Sequence, residues 1–183
     1  MKAITIFKFI LTLLAGNGID PGSLKAEQEC RLYQLSTHIV NVSRSDVDMA
    51  HLVALGYKES KFNWEGTKFL RAGDGSCGVF QQQPAYAKDE EGSKLSCRDL
   101  QDTYIAAAQA IRTLEWAFAT YGRSFESVCH YNSGVKCYPK SRAYAKAHKK
   151  MFDRTLSYLK KNVGASDEDA ILHRIVDRCS TYF

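Results

Sequence analysis

The chain has 183 residues, 45 % of them hydrophobic and 11 % aromatic, and carries a formal charge of +5 with a pI near 8.8. That length fits one ordinary domain, and that composition excludes an intrinsically disordered chain, which lacks the apolar residues to bury. The modest positive charge suits an anionic polymer as partner without choosing among polymers.

Met1-Lys2-Ala3 and the apolar run over residues 4–15 have the layout of a secretory leader, a short basic start followed by an apolar segment. Lys8 interrupts the run and leaves residues 9–15 as its clean part, far short of the ~20 residues of a membrane-spanning helix. We therefore expect residues 1–26 to be a leader cut after Ala26 and residues 27–183 to form a single domain. A buried N-terminal helix is the competing reading of the same run. Residues 27–41 place Leu32, Leu35, Ile39 and Val40 at helical spacing, which predicts a first helix. Ser45 followed by Asp46 and Asp48 is a helix start, with Met49, Leu52, Val53 and Gly56 on one face and an end near Glu59. Residues 63–96 are rich in Gly, Ser and charge and predict loop, with a short helical turn over 81–87 or a small hairpin. Asp99 opens the strongest helical pattern, a stripe of Leu100, Tyr104, Ile105, Ala108, Ile111, Leu114, Phe118 and Tyr121 that Gly122 ends. Further helices are predicted over 125–130 and over 141–161, the latter with Tyr144, Met151, Phe152 and Leu159 facing inward. Ser166 and Asp169 form a capping box before a last short helix ending at Cys179. The fold class is mainly α.

Six cysteines, at 30, 77, 97, 129, 137 and 179, form an even set without a C-x-x-C pair. A zinc ribbon and a dithiol redox motif are thereby disfavoured, and disulfides are expected. Fifteen pairings are open; we expect Cys30 to join Cys179 and Cys129 to join Cys137. Leader and cysteines both point to an exported protein, periplasmic or secreted. The histidines at 38, 51, 130, 148 and 173 show no metal-ligand spacing, so no metal and no cofactor is implied.

Three short clusters carry chemistry: Glu59-Ser60-Lys61-Phe62 at a helix end, Gly78-Val79-Phe80-Gln81, and Tyr131-Asn132-Ser133-Gly134. A fourth, Arg142-Ala143-Tyr144, follows. In this order, with a strong helix between the second and third, the chain resembles the lysozyme-fold lytic transglycosylases. Members of that family carry Glu-Ser-x-Phe, then Gly-x-(Met/Phe)-Gln, then Ala-Tyr-Asn-x-Gly, then Arg-x-Tyr. The resemblance spans about residues 45–155. His130 stands where the family has Ala, and the loop between the first two motifs is a few residues longer than in many members. Gly73-Asp74-Gly75 is similar to goose-type lysozyme, which shares the fold and hydrolyses the same bond.

The resemblance implies a lysozyme-like helical domain with a loop-rich layer or small hairpin on one side of a groove. It implies cleavage of the MurNAc–GlcNAc β-1,4 bond of peptidoglycan strands, with Glu59 as general acid and then as base toward the muramic acid C6 hydroxyl, closing a 1,6-anhydro ring. Ser60, Phe80, Gln81, Tyr131, Asn132 and Tyr144 become candidate substrate contacts. The chemistry is consistent with this role, because a carboxyl protonates a leaving oxygen at neutral pH only if an apolar site raises its pKa. Phe62, Trp64, Phe80, Tyr131 and Tyr144 are candidate walls for such a site, although core packing alone also accounts for buried tyrosines. Two rivals are a hydrolytic muramidase, with Asp74 as a second carboxylate that assists water, and a catalytically silent peptidoglycan-binding or assembly protein. A monomer is expected. Family relatives serve wall turnover, secretion, conjugation and phage entry, so the resemblance leaves open both free wall turnover and association with a secretion, conjugation or phage machine. Nucleic acid is not an expected partner.

Overall fold

The computed structural model describes residues 2–66, 71–162, 174, 175 and 177–179. Six α-helices are present among them: α1 (Lys2–Ala15), α2 (Ala26–Val42), α3 (Asp46–Ser60), α4 (Thr103–Tyr121), α5 (Cys129–Ser133) and α6 (Pro139–Asn162). The expected capping box at Ser166 and the start of the last helix lie outside the described residues.

Helix α3 is the centre of the molecule. Every residue from 49 to 56 is buried, as expected of a helix that is apolar on all sides and therefore surrounded. Ser45 caps its start, its Oγ accepting from the Asp48 N–H at 3.2 Å. Around it pack α2, α4 and α6, with α1 filling the groove between α2 and α6. The apolar run at the N-terminus is thus a helix with Ile4, Ile6, Phe7, Phe9, Ile10, Leu13 and Leu14 buried. Phe7 meets Tyr33 edge-on and Phe9 stacks on Tyr158. Each such side chain contributes about 1.5–3 kcal/mol of transfer free energy, offset in part by ordering.

Helix α4 differs from the expected stripe. A 3-10 turn at Asp99–Gln101 precedes it, and Asp102 is the true cap, accepting from the Tyr104 and Ile105 N–H groups at 2.8 and 3.1 Å. Its buried face runs through Ala106, Ala107, Ala110, Ile111, Leu114 and Ala117, whereas Tyr104 and Tyr121 are exposed. Four alanines let α4 approach its neighbours closely, and the large rings fall on the outer faces.

Residues 71–98 form the predicted loop layer. The expected helical turn over 81–87 is absent; consecutive turns occupy it, and isolated antiparallel bridges pair Arg71 with Cys77, Cys77 with Gln82 and Lys88 with Lys94. The layer has a small core of Cys77, Ala87, Leu95 and Leu100. Three disulfides join Cys30 to Cys179, Cys77 to Cys97 and Cys129 to Cys137, the first and last as expected. Among the described residues no helix is long and apolar enough to cross a membrane.

Candidate active site

Glu59 sits in the last turn of α3, and the chain turns sharply just beyond it. Lys61, Phe62 and Asn63 all have positive φ, at 52°, 63° and 50°. Three successive left-handed residues other than glycine cost roughly 1–2 kcal/mol each, so surrounding contacts must hold them. Those contacts are visible: the Phe62 ring is buried over Gly56, where any Cβ would lie 3.1 Å from Phe62 Cδ1 and 3.4 Å from Phe80 Cε1. Glycine at 56 is therefore what lets both rings close beneath the helix end.

The loop layer is pinned to this end by two hydroxyls. Ser60 Oγ donates to the Val79 carbonyl at 2.7 Å, and Tyr131 on α5 donates to the Phe80 carbonyl at 3.0 Å. Gln81, itself at φ 47°, donates from Nε2 to the Gly78 carbonyl at 2.8 Å. Gly78 has φ 74°, and a Cβ there would run into the Leu100 carbonyl oxygen. With its amide oriented so that the nitrogen donates to the Ala106 carbonyl and the oxygen accepts from the Ala110 N–H, Gln82 fastens the layer to α4.

Between layer and helices runs a cleft of about 860 Å³ whose lining includes Glu59, Asp74, Gln81, Tyr131 and Asn132. Ser60, Phe80 and Tyr144, expected as substrate contacts, do not line it. Phe80 is fully buried, and the Ser60 hydroxyl is spent on the backbone. Tyr144, from the first turns of α6, instead donates its hydroxyl to Glu59 Oε1. Of the expected aromatic walls, only Tyr131 faces the cleft. Residues the motifs did not flag complete the lining: Gln109, Arg112, Thr113 and Trp116 fall on one stripe of α4, at intervals of three and four residues that a helical reading could have grouped. His130 also lines the cleft, its ring stacked 3.5 Å from that of Tyr121 and its Nδ1 2.5 Å from the Gly134 carbonyl.

Electrostatically, Glu59 and Asp74, two of the carboxyls that line the cleft, are opposites. Burial raises the pKa of Glu59 from 4.5 to about 7, and the Tyr144 hydrogen bond and Lys58 offset part of that rise. Asp74 is fully exposed, and hydrogen bonds from Ser76 hold its pKa below the usual value. Burial pushes the phenols of Tyr131 and Tyr144 well above the ordinary tyrosine range, so both are neutral donors. The cleft thus sets Glu59, an acid protonatable near neutrality, beside the ionised carboxylate of Asp74. Cys129, His130 and Cys137 bring potential ligand atoms within 4.8 Å of one another, but both sulfurs are bonded to each other, which leaves no thiolate for an ion.

Residues 37–152 match the family described as the transglycosylase SLT domain. The chain belongs to that family. No curated protein and no solved structure matches it. Membership in the transglycosylase SLT family makes this a lysozyme-like lytic transglycosylase domain whose substrate is peptidoglycan, acted on outside the cytoplasm. The matched segment runs from within α2 to α6 and contains Glu59, the loop layer, α4 and the Tyr131 segment.

Proposed function

We propose that the protein cleaves the MurNAc–GlcNAc β-1,4 bond by the lytic route, with Glu59 acting twice. The observation that carries this reading is a single carboxyl with a pKa near 7, lining the cleft and held by a tyrosine hydroxyl. As acid, Glu59 gives its proton to the glycosidic oxygen while the bond from C1 to that oxygen breaks and the GlcNAc side leaves as an alcohol. The resulting carboxylate then takes the proton of the muramic acid C6 hydroxyl as that oxygen bonds to C1. Glu59 ends protonated as it began, no water is consumed, and the product carries a 1,6-anhydro ring. Gln81 and Asn132 supply amide groups to hydroxyl and acetamido substituents, Tyr144 orients the acid, and Ser60, Phe80 and Tyr131 hold the wall in place.

A second reading is hydrolysis, in which Asp74, an exposed carboxylate in the same cleft that Ser76 holds ionised, assists a water while Glu59 acts as the acid. Export is part of the proposal, supported by the three disulfides, and so is a monomeric state. Mass spectrometry of muropeptides released from purified sacculi tests it. The lytic route gives products about 18 Da lighter than hydrolysed counterparts, without a reducing end, and none from Glu59→Gln. Reducing-end products would make the protein a muramidase, and binding without release would make it a silent glycan-binding protein.

A further inference from the structure

Helices α3 and α6 carry the Glu59–Tyr144 pair, and the same two helices carry a second polar pair deeper in the core. His51 lies two turns before Glu59 on α3, and His148 lies one turn after Tyr144 on α6. Both rings are buried and stacked 5.2 Å apart, with His51 Nδ1 2.9 Å from His148 Nε2. The Tyr144 and His148 rings are themselves stacked at 6.5 Å, so one line of side chains runs from His51 through His148 and Tyr144 to Glu59.

Hydrogen-bond accounting assigns the protons. His148 Nδ1 is buried and has no partner. A proton there would be an orphaned buried N–H, a rarer and costlier defect than an unpaired acceptor. The proton therefore sits on His148 Nε2 and is donated to His51 Nδ1, which leaves His51 protonated on Nε2, beside a small cavity of about 180 Å³ lined by His51, Phe118, Phe125 and Phe152. One proton bridges the two helices, and both rings are neutral.

We propose that His51 and His148 are positioning residues for the catalytic carboxyl: their one-proton bridge sets the register of α6 on α3 and so keeps the Tyr144 hydroxyl on Glu59. The inference rests on the reading of Glu59 as the catalytic acid. A second proton on the pair would remove the acceptor and break the bridge. Burial opposes that event, lowering the pKa of His51 to about 4 and of His148 to about 3. The charged groups around the pair are Asp48 and Lys58 on α3 and Arg123 at the cavity rim after α4; Tyr144 on α6 is neutral, and the facing Phe118, Phe125 and Phe152 carry no charge. Asp48 favours a charged His51, Lys58 opposes a charged His148, and the bridge stays intact at neutral pH and opens in acid.

The test compares the full, disulfide-bonded chain with His148→Leu, which removes the bridge, and His148→Gln, whose amide nitrogen can still donate to His51 but does not titrate. Two readouts are taken from pH 3.5 to 8, namely kcat and KM on sacculi and the Glu59 carboxyl titration by 13C NMR, which needs no turnover. The expected result is a fall of about tenfold in kcat for His148→Leu at little change in KM, with a shift of about one unit in the Glu59 titration. His148→Gln recovers most of that kcat and stays active to lower pH than the unsubstituted protein. A Glu59 titration and kcat unmoved in His148→Leu, with only thermal stability lowered, overturns the proposal. If the unsubstituted protein releases no muropeptides while the Glu59 titration still shifts in His148→Leu, the bridge stands and the glycan-cleaving reading falls.

Discussion

Replacing Glu59 by Gln should inactivate the enzyme and, above neutral pH, stabilise it. In the folded protein Glu59 holds its proton up to about pH 7, against 4.5 for the free group. Between those values the folded state binds a proton that the unfolded state has released, so the contribution of this group is fully present below pH 4.5 and is lost as pH rises through 7. A difference of roughly 2.5 units at about 1.4 kcal/mol each amounts to about 3 kcal/mol of stability that ionisation removes. Glutamine keeps the size and the acceptor for the Tyr144 hydroxyl but never ionises. The stability gap between Glu59→Gln and the parent should therefore widen by about 3 kcal/mol from pH 4 to pH 8.5, a relative gain of roughly 6–12 °C in Tm for a chain of this length. Taking the gap cancels groups common to both proteins, including the buried histidines. Paired urea or thermal melts across that range, with the disulfides intact, would measure it. A gap that does not change with pH would refute the argument that burial holds this carboxyl neutral, and with it the physical basis for Glu59 as the acid.

Two further outcomes follow from the same geometry. Tyr144→Phe removes a hydrogen bond that favours the ionised form of Glu59, so the alkaline limb of the pH–activity profile should move up by about one unit while the maximal rate falls; an unmoved limb would show that the hydroxyl does not tune the acid. Gly78→Ala should destabilise the protein by at least about 2 kcal/mol, because φ 74° disfavours a side chain and the Leu100 carbonyl fills the space; a melt like that of the parent would mean the loop layer yields freely.

Much of the site was legible because it is local. Ser45 and the acidic residues after it announced the start of α3, and the motif order put Glu59 at its end. What one-dimensional patterns could not give was the direction of side chains in space. Ser60, Phe80 and Tyr144 sit in the right motifs, yet they face the protein, because hydroxyls and rings next to a strained turn are needed to hold it. The stripe on α4 was misjudged for a related reason: hydrophobicity favoured Tyr104 and Tyr121 as core, whereas close helix packing selected alanines. The N-terminal run was ambiguous at root, since an export leader and a core helix both need a continuous apolar stretch, and its packing as α1 in the uncut chain is compatible with either. His51 and His148 could not be paired from sequence, being 97 residues apart with no motif between them.

The Cys30–Cys179 bond has a mechanical meaning. It closes a covalent ring across a sequence separation of 149 residues, within which lie Glu59, the loop layer and all of α3 to α6. Tension applied to the chain outside that ring passes from one sulfur to the other and does not load the helices inside it. Under such a pull the cleft keeps its shape, a useful property for an enzyme whose substrate is itself a stress-bearing mesh.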